Sequence, residues 1–164
     1  MKFSICNEVF EGWSIDETIR FVAETGYDAI EIAPFTLAQY VTDIPVGERH
    51  KIRDMTLANG IEVSAIHWVL IKTEGLYMTH TDPLVREKTS DYFCELVDFC
   101  SDLGGKAVVV GSPKLRNLLP GVSFDQACEL ARKTFSKSIQ RAEDKSVTIC
   151  FEPLAPSETD FINT

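Results

Sequence analysis

The sequence has no apolar run approaching the roughly 20 residues that cross a bilayer, and Met1 leads into KFSIC rather than into a basic segment followed by a long apolar stretch. A soluble, cytoplasmic chain with no membrane partner is expected. Positive charge is in short supply: 16 lysines and arginines face 25 aspartates and glutamates, for a formal charge of -9. That balance repels a phosphate backbone, so nucleic acid is not an expected partner. Paired cysteine motifs are missing too. Cys6, Cys94, Cys100, Cys128 and Cys150 are odd in number, contain no C-x-x-C pair and fall in apolar periodic segments. They read as small core hydrophobes in a reducing compartment. No Walker loop, nucleophile elbow or zincin helix is present, which removes the chemistries those motifs carry.

What is present is a repeated unit. Ser14 and Glu17 form a capping-box pattern before a helix with Ile15, Ile19, Val22 and Ala23 on its apolar face, and Gly26 is placed to stop it. The strand-like YDAIEIAPF follows. A weaker helical pattern over about Gly47 to Asn59 ends at Gly60 and leads into IEVSAIHWVL. Asp82 and Pro83 suit the cap and first residue of a long helix carrying Phe93, Leu96, Val97, Cys100 and Leu103. KAVVVGSP comes next; Ser123 and Gln126 then open a last helix, which runs out before VTICFEPL. With FSIC at the start, the order is βαβαβαβαβ.

Strands separated by whole helices run parallel, joined by right-handed crossovers. A doubly wound sheet and a TIM barrel both satisfy that order. Steady alternation, the absence of a Gly-rich fingerprint after the first strand, and polar residues at the strand ends favour the barrel. The expected fold is therefore α/β, an incomplete parallel barrel of about five strands and four helices, with residues 1–164 forming one partial domain.

The strand ends supply the candidate residues. Glu152 interrupts the apolar run of a strand expected to be buried on both faces, where a carboxylate is costly without a cation, a metal or donors; a strand-end glutamate paired with a lysine is the plainer alternative. Glu31, in AIEIAPF, invites the same argument with less force. His67, in SAIHWVL, stands beside Trp68 and is the one histidine within a strand pattern; it is either a hydrogen-bonded core residue or a donor and acceptor at the barrel mouth. Lys114 and Arg116, in GSPKLRN, are either solvated loop cations or groups that hold a hydroxyl, carboxylate or phosphate.

The segments TGYDAIEI, IHW, GSPKLR and FEPLAPSETDFINT, in this order and spacing, resemble the xylose-isomerase-like TIM barrels, in particular the sugar phosphate isomerase and ketose 3-epimerase group. The resemblance covers the first five of that family's eight strands. It implies that Glu152 is both a divalent-metal ligand and a general base, that Glu158 contacts the substrate, and that His67 reaches substrate or metal; Glu31 and Lys114 are expected nearby from their own places at the strand ends. It implies manganese, magnesium or zinc as cofactor and a sugar or sugar phosphate as substrate. Ala155, Pro156 and Ser157 depart from the Asn and Arg often found between the two glutamates. An aspartate, a histidine and a second glutamate from strands six to eight complete the family's site, so these 164 residues are expected to be a fragment, inactive alone. An inosose-dehydratase-like lyase and a non-catalytic oligomeric half-barrel are the alternatives. Unpaired first and fifth strands lead to the expectation of a homodimer, with those strands and the LAPSETDFINT tail at the interface.

Overall fold

A computed structural model describes residues 1–163; Thr164, the last residue of the expected tail interface, lies outside them. The first helix shows how local chemistry fixes the elements. Ser14 Oγ accepts the Glu17 N–H while the Glu17 carboxylate accepts the Ser14 N–H, satisfying donors that α1 (Ile15–Glu24) would otherwise leave unpaired. Gly26, at a φ of 88°, turns the chain out of the helix, and the Gly26 and Tyr27 N–H groups close on the Ala23 and Val22 carbonyls. The capping box recurs at Ser123 and Gln126 before α4 (Phe124–Lys145), and Asp82 caps α3 (Pro83–Asp102). Helix α2 (Val46–Ala58) starts after Pro45 without a side-chain cap.

The helices alternate with β1 (Ser4–Cys6), β2 (Ala29–Ile32), β3 (Glu62–Ile66), β4 (Ala107–Val110) and β5 (Thr148–Phe151). Among the described residues these strands form one sheet in the order β1-β2-β3-β4-β5, every pair parallel. Spatial order that follows chain order separates a barrel wall from a doubly wound sheet, in which the order reverses about the first strand.

One face of the sheet is sealed by the helices. Phe93, Leu96, Val97, Phe99 and Cys100 of α3 are wholly buried, each such large apolar side chain contributing about 1.5–3 kcal/mol. Phe135 of α4 packs on Phe93 and on Phe151 of β5, with ring centroids 4.4 and 4.9 Å apart. Because Phe151 points to the helices, strand alternation sends Cys150 and Glu152 to the opposite face. That inner face is small and polar near its amino end, where Ser4 Oγ lies 2.8 Å from Ser64 Oγ and Lys2 pairs with Glu62 at 2.7 Å.

The cysteines correct the core reading. Cys100 is buried; Cys6, Cys94 and Cys150 are half-buried, and Cys128 is exposed. Cys6 and Cys150 fall on the inner face and Cys128 on the outer side of α4, so apolar periodicity alone did not place them. Among the described residues no helix is long and apolar enough to cross a membrane.

Candidate active site

The site is built where the strands end. A bulge between β2 and β3 sets its parity: Ile30 pairs with Val63 but Glu31 pairs with Ala65, leaving Ser64 as the extra residue. A one-residue shift moves every later side chain to the other face. Glu31 therefore shares a face with Ala65 and hence with His67, two residues on. The ladder continues past the strand ends, for the His67 N–H donates to the Ile32 carbonyl at 3.0 Å and the Glu152 N–H to the Val110 carbonyl at 3.1 Å. Both side chains are thus aimed by the sheet rather than by a loose loop.

His67 lies between two carboxylates. Its Nδ1 is 3.3 Å from Glu31 Oε2 and its Nε2 is 3.3 Å from Glu152 Oε2. All three side chains are half-buried. The Glu31 carboxylate, with Glu152 on the other nitrogen, holds the imidazole pKa above its ordinary value against the opposing effect of burial. The ring also stacks on Trp68, whose backbone sits at a φ of 56°, a left-handed conformation that bulky residues seldom adopt. The carboxylate of Glu152 lies where β4 leaves a gap: a Cβ at Gly111 would collide with Glu152 Oε2. Gly111 leaves the room in which the carboxylate end lies, and a side chain there would push it aside.

A cavity of about 190 Å³ opens over this cluster, lined by His67, Trp68, Ser112, Glu152 and Glu158 among others. Glu158 is exposed, and its carboxylate accepts the Ala155 N–H at 3.2 Å. Lys114 is exposed and lines a neighbouring cavity of about 330 Å³ that shares Trp68 and Ser112. The five residues singled out in the sequence therefore gather at the carboxyl end of the sheet: Glu31, His67 and Glu152 in direct contact, Glu158 on the same cavity, and Lys114 at the next one.

Arg116 does not stand at the mouth as a ligand-binding cation. It is wholly buried, and its guanidinium donates to the carbonyls of Val110 at 3.3 Å, Glu152 at 2.9 Å and Ile162 at 3.3 Å. Burial pushes its pKa down, with the charges of Glu152 and Glu158 acting in the opposite direction. Arg116 thus fixes the backbone under Glu152 and ties it to the tail. Cys6, which sequence reasoning assigned to the core, stands in register with Glu31 on the neighbouring strand. Its position at the end of FSIC, on the same strand parity, was the available signal.

Two carboxylates about one imidazole can hold and pass a proton at the floor of a cavity, the equipment of a general acid and base. No curated protein matches the chain in sequence. Its fold is similar to several solved structures. D-psicose 3-epimerase with D-tagatose from Clostridium cellulolyticum H10 superposes with a TM-score of 0.79 at 18% identity, over 100% of this chain and 56% of that one. The 3-keto-D-glucoside 4-epimerase from E. coli, in its apo form, gives 0.77 at 19%, over 100% and 60%. D-allulose 3-epimerase from Methylomonas sp. in complex with D-allulose gives 0.78 at 22%, over 100% and 55%. The chain spans little more than half the length of these proteins. The family model described as xylose isomerase-like TIM barrel matches residues 19–164, and the chain belongs to that family.

Proposed function

We propose that these residues form one side of a sugar isomerase or epimerase site, in which Glu152 moves a proton at a carbon next to a sugar carbonyl. The observation that supports this reading most is the contact of Glu152 with His67, itself backed by Glu31, at the floor of the cavity that Glu158 also lines. Removing a proton next to a carbonyl takes a base within hydrogen-bond reach. Glu152 is that base; it receives the proton while His67, held by Glu31 at its other ring nitrogen, keeps the carboxylate in place. Glu158 binds sugar hydroxyls, and Trp68 offers an apolar wall to the C–H face of the ring. Lys114 reaches the rim, where a phosphate or outer hydroxyl would lie. The similar structures carry ketoses such as D-tagatose and D-allulose in complex, and a ketose or its phosphate is the proposed substrate class here.

Glu152 suits a hard divalent cation such as Mn2+ or Mg2+, yet one carboxylate falls far short of the six or so donors that such an ion takes. The ion would share ligands with groups outside the described residues, and it would supply positive charge for the oxygen that becomes negative as the proton leaves. The 164 residues alone are therefore expected to bind sugar without turning it over. A second copy of the chain is the proposed cover for the inner face between β1 and β5. Sedimentation at micromolar concentration tests it: a dimer is expected, and a cooperatively folded monomer contradicts it.

The test of the functional reading is a panel of ketoses and inososes against the 164-residue protein. Binding is followed by Trp68 fluorescence in a Trp13→Phe background, and products by chromatography. Saturable ketose binding weakened at least tenfold in Glu158→Gln is expected, with no epimer formed. Binding of no ketose contradicts the reading, as does epimer formation that persists in Glu152→Gln.

A further inference from the structure

His67 presents a pairing problem that two carboxylates alone do not solve. A neutral imidazole donates through one nitrogen and accepts through the other. With carboxylates 3.3 Å from both nitrogens, one lone pair would face a negatively charged oxygen. Either a second proton or a cation must stand on that side.

The side toward β1 is furnished for a cation. The Cys6 sulfur, a Glu31 oxygen and a His67 ring nitrogen all lie within 4.8 Å of one another. They come from three adjacent strands, and Cys6 and Glu31 are direct register partners. Zinc bonds of about 2.0–2.3 Å in a tetrahedron put ligand atoms roughly 3.3–3.8 Å apart. Closing the cluster to that spacing takes side-chain adjustments of about 1 Å. On the other side, Nε2 lies 3.3 Å from Glu152 Oε2, so with Nδ1 on a metal the ring proton stands on Nε2 and Glu152 accepts it. A metal-bound histidine commonly donates its second ring N–H to a carboxylate in this way, which fixes its tautomer and orientation.

We propose that Cys6, Glu31 and His67 form a zinc-type site, with His67 ligating through Nδ1 and Glu152 orienting the ring from behind. The donor set of one thiolate, one imidazole and one carboxylate selects a borderline-soft ion such as Zn2+ or Co2+ over Mg2+. Three protein ligands leave a fourth position facing the inner side of the sheet. The site stands whether or not the chain acts on a sugar, because none of its geometry depends on a substrate.

The probe is the metal alone, added to the full 164-residue protein. One Zn2+ per chain is expected by equilibrium dialysis, and Co2+ in its place should give a sulfur-to-cobalt charge-transfer band. Cys6→Ser removes that band and Cys128→Ser keeps it. Glu152→Gln keeps the band but weakens Zn2+ binding about tenfold to a hundredfold. Should Cys6→Ser fail to fold, the cobalt band is read in Cys150→Ser, the other inner-face cysteine, which keeps it; and because burial and Glu8 hold the Cys6 thiol protonated, metal binding at neutral pH releases a proton, read by an indicator dye in weak buffer. A sulfur band that survives in Cys6→Ser or is lost in Cys150→Ser, no saturable Zn2+ binding, or Zn2+ binding that releases no proton overturns the assignment.

Discussion

Replacing Arg116 tests how Glu152 is held. Its guanidinium joins the end of β4, the residue after β5 and the tail through the carbonyls of Val110, Glu152 and Ile162. These acceptors are unequal. The Val110 carbonyl also receives the Glu152 N–H at 3.1 Å, and the Ile162 carbonyl receives the Leu154 N–H at 3.5 Å. The Glu152 carbonyl has no second donor among the described residues. Arg116→Met keeps most of the apolar stem and removes the fork. Hydrogen bonds to a charged group contribute about 1.5–3 kcal/mol each. Relief from burying a guanidinium, whose Nε has no partner, offsets a large part, so a net loss of about 2–4 kcal/mol is expected. Arg116→Lys keeps the charge, but a compact ammonium cannot span three carbonyls in one plane, and it should recover less than half of that loss. Urea unfolding followed by circular dichroism provides the assay, read as a lower midpoint at unchanged slope. Both variants falling within about 0.5 kcal/mol of the parent, as ordinary surface substitutions do, would refute the bracing role. Full recovery by lysine would show that the charge matters and the fork does not.

Gly111→Ala puts a Cβ onto Glu152 Oε2 and should drive that carboxylate away from His67. The expected sign is a fall in the His67 pKa toward 6.5, read from imidazole proton shifts; an unchanged titration would mean that the carboxylate is not lodged there. In metal-free protein His67 should also link stability to pH. Its folded pKa is raised above the ordinary 6.5, so its charged form contributes stability that is fully present below that value and is lost as pH rises through the folded pKa. Thermal scans in chelator should show this loss in the parent and a smaller one in His67→Gln, and equal slopes would contradict the pairing.

The elements that sequence made legible are those fixed by short-range chemistry. The boxes at Ser14 and Ser123 and the cap at Asp82 need partners only two or three residues away, so they are visible in a short window. The alternation of βα units likewise sufficed for parallel strands and a barrel-like order. The contact between Glu31 and His67 was not legible, because it depends on the bulge at Ser64, and a bulge is a property of two strands. Arg116 looked like a partner of Lys114 because both sit in GSPKLRN. The tight turn at Pro113–Leu115 instead exposes Lys114 and sends Arg116 beneath the strand ends. Cys6 was hidden by composition: a cysteine in FSIC reads as apolar until the inner face is known to be open.

The functional claim rests on one location, the cavity at the carboxyl end of the sheet, and a chemical-shift map of the protein titrated with a ketose tests it most directly. Binding there should move the amide signals of His67, Trp68, Ser112, Glu152 and Glu158 in a saturable way, and those shifts should shrink in Glu158→Gln. Saturable shifts confined to the amino end of the sheet around Lys2 and Glu62, or none with any ketose, would contradict the assignment of this cavity as a sugar site.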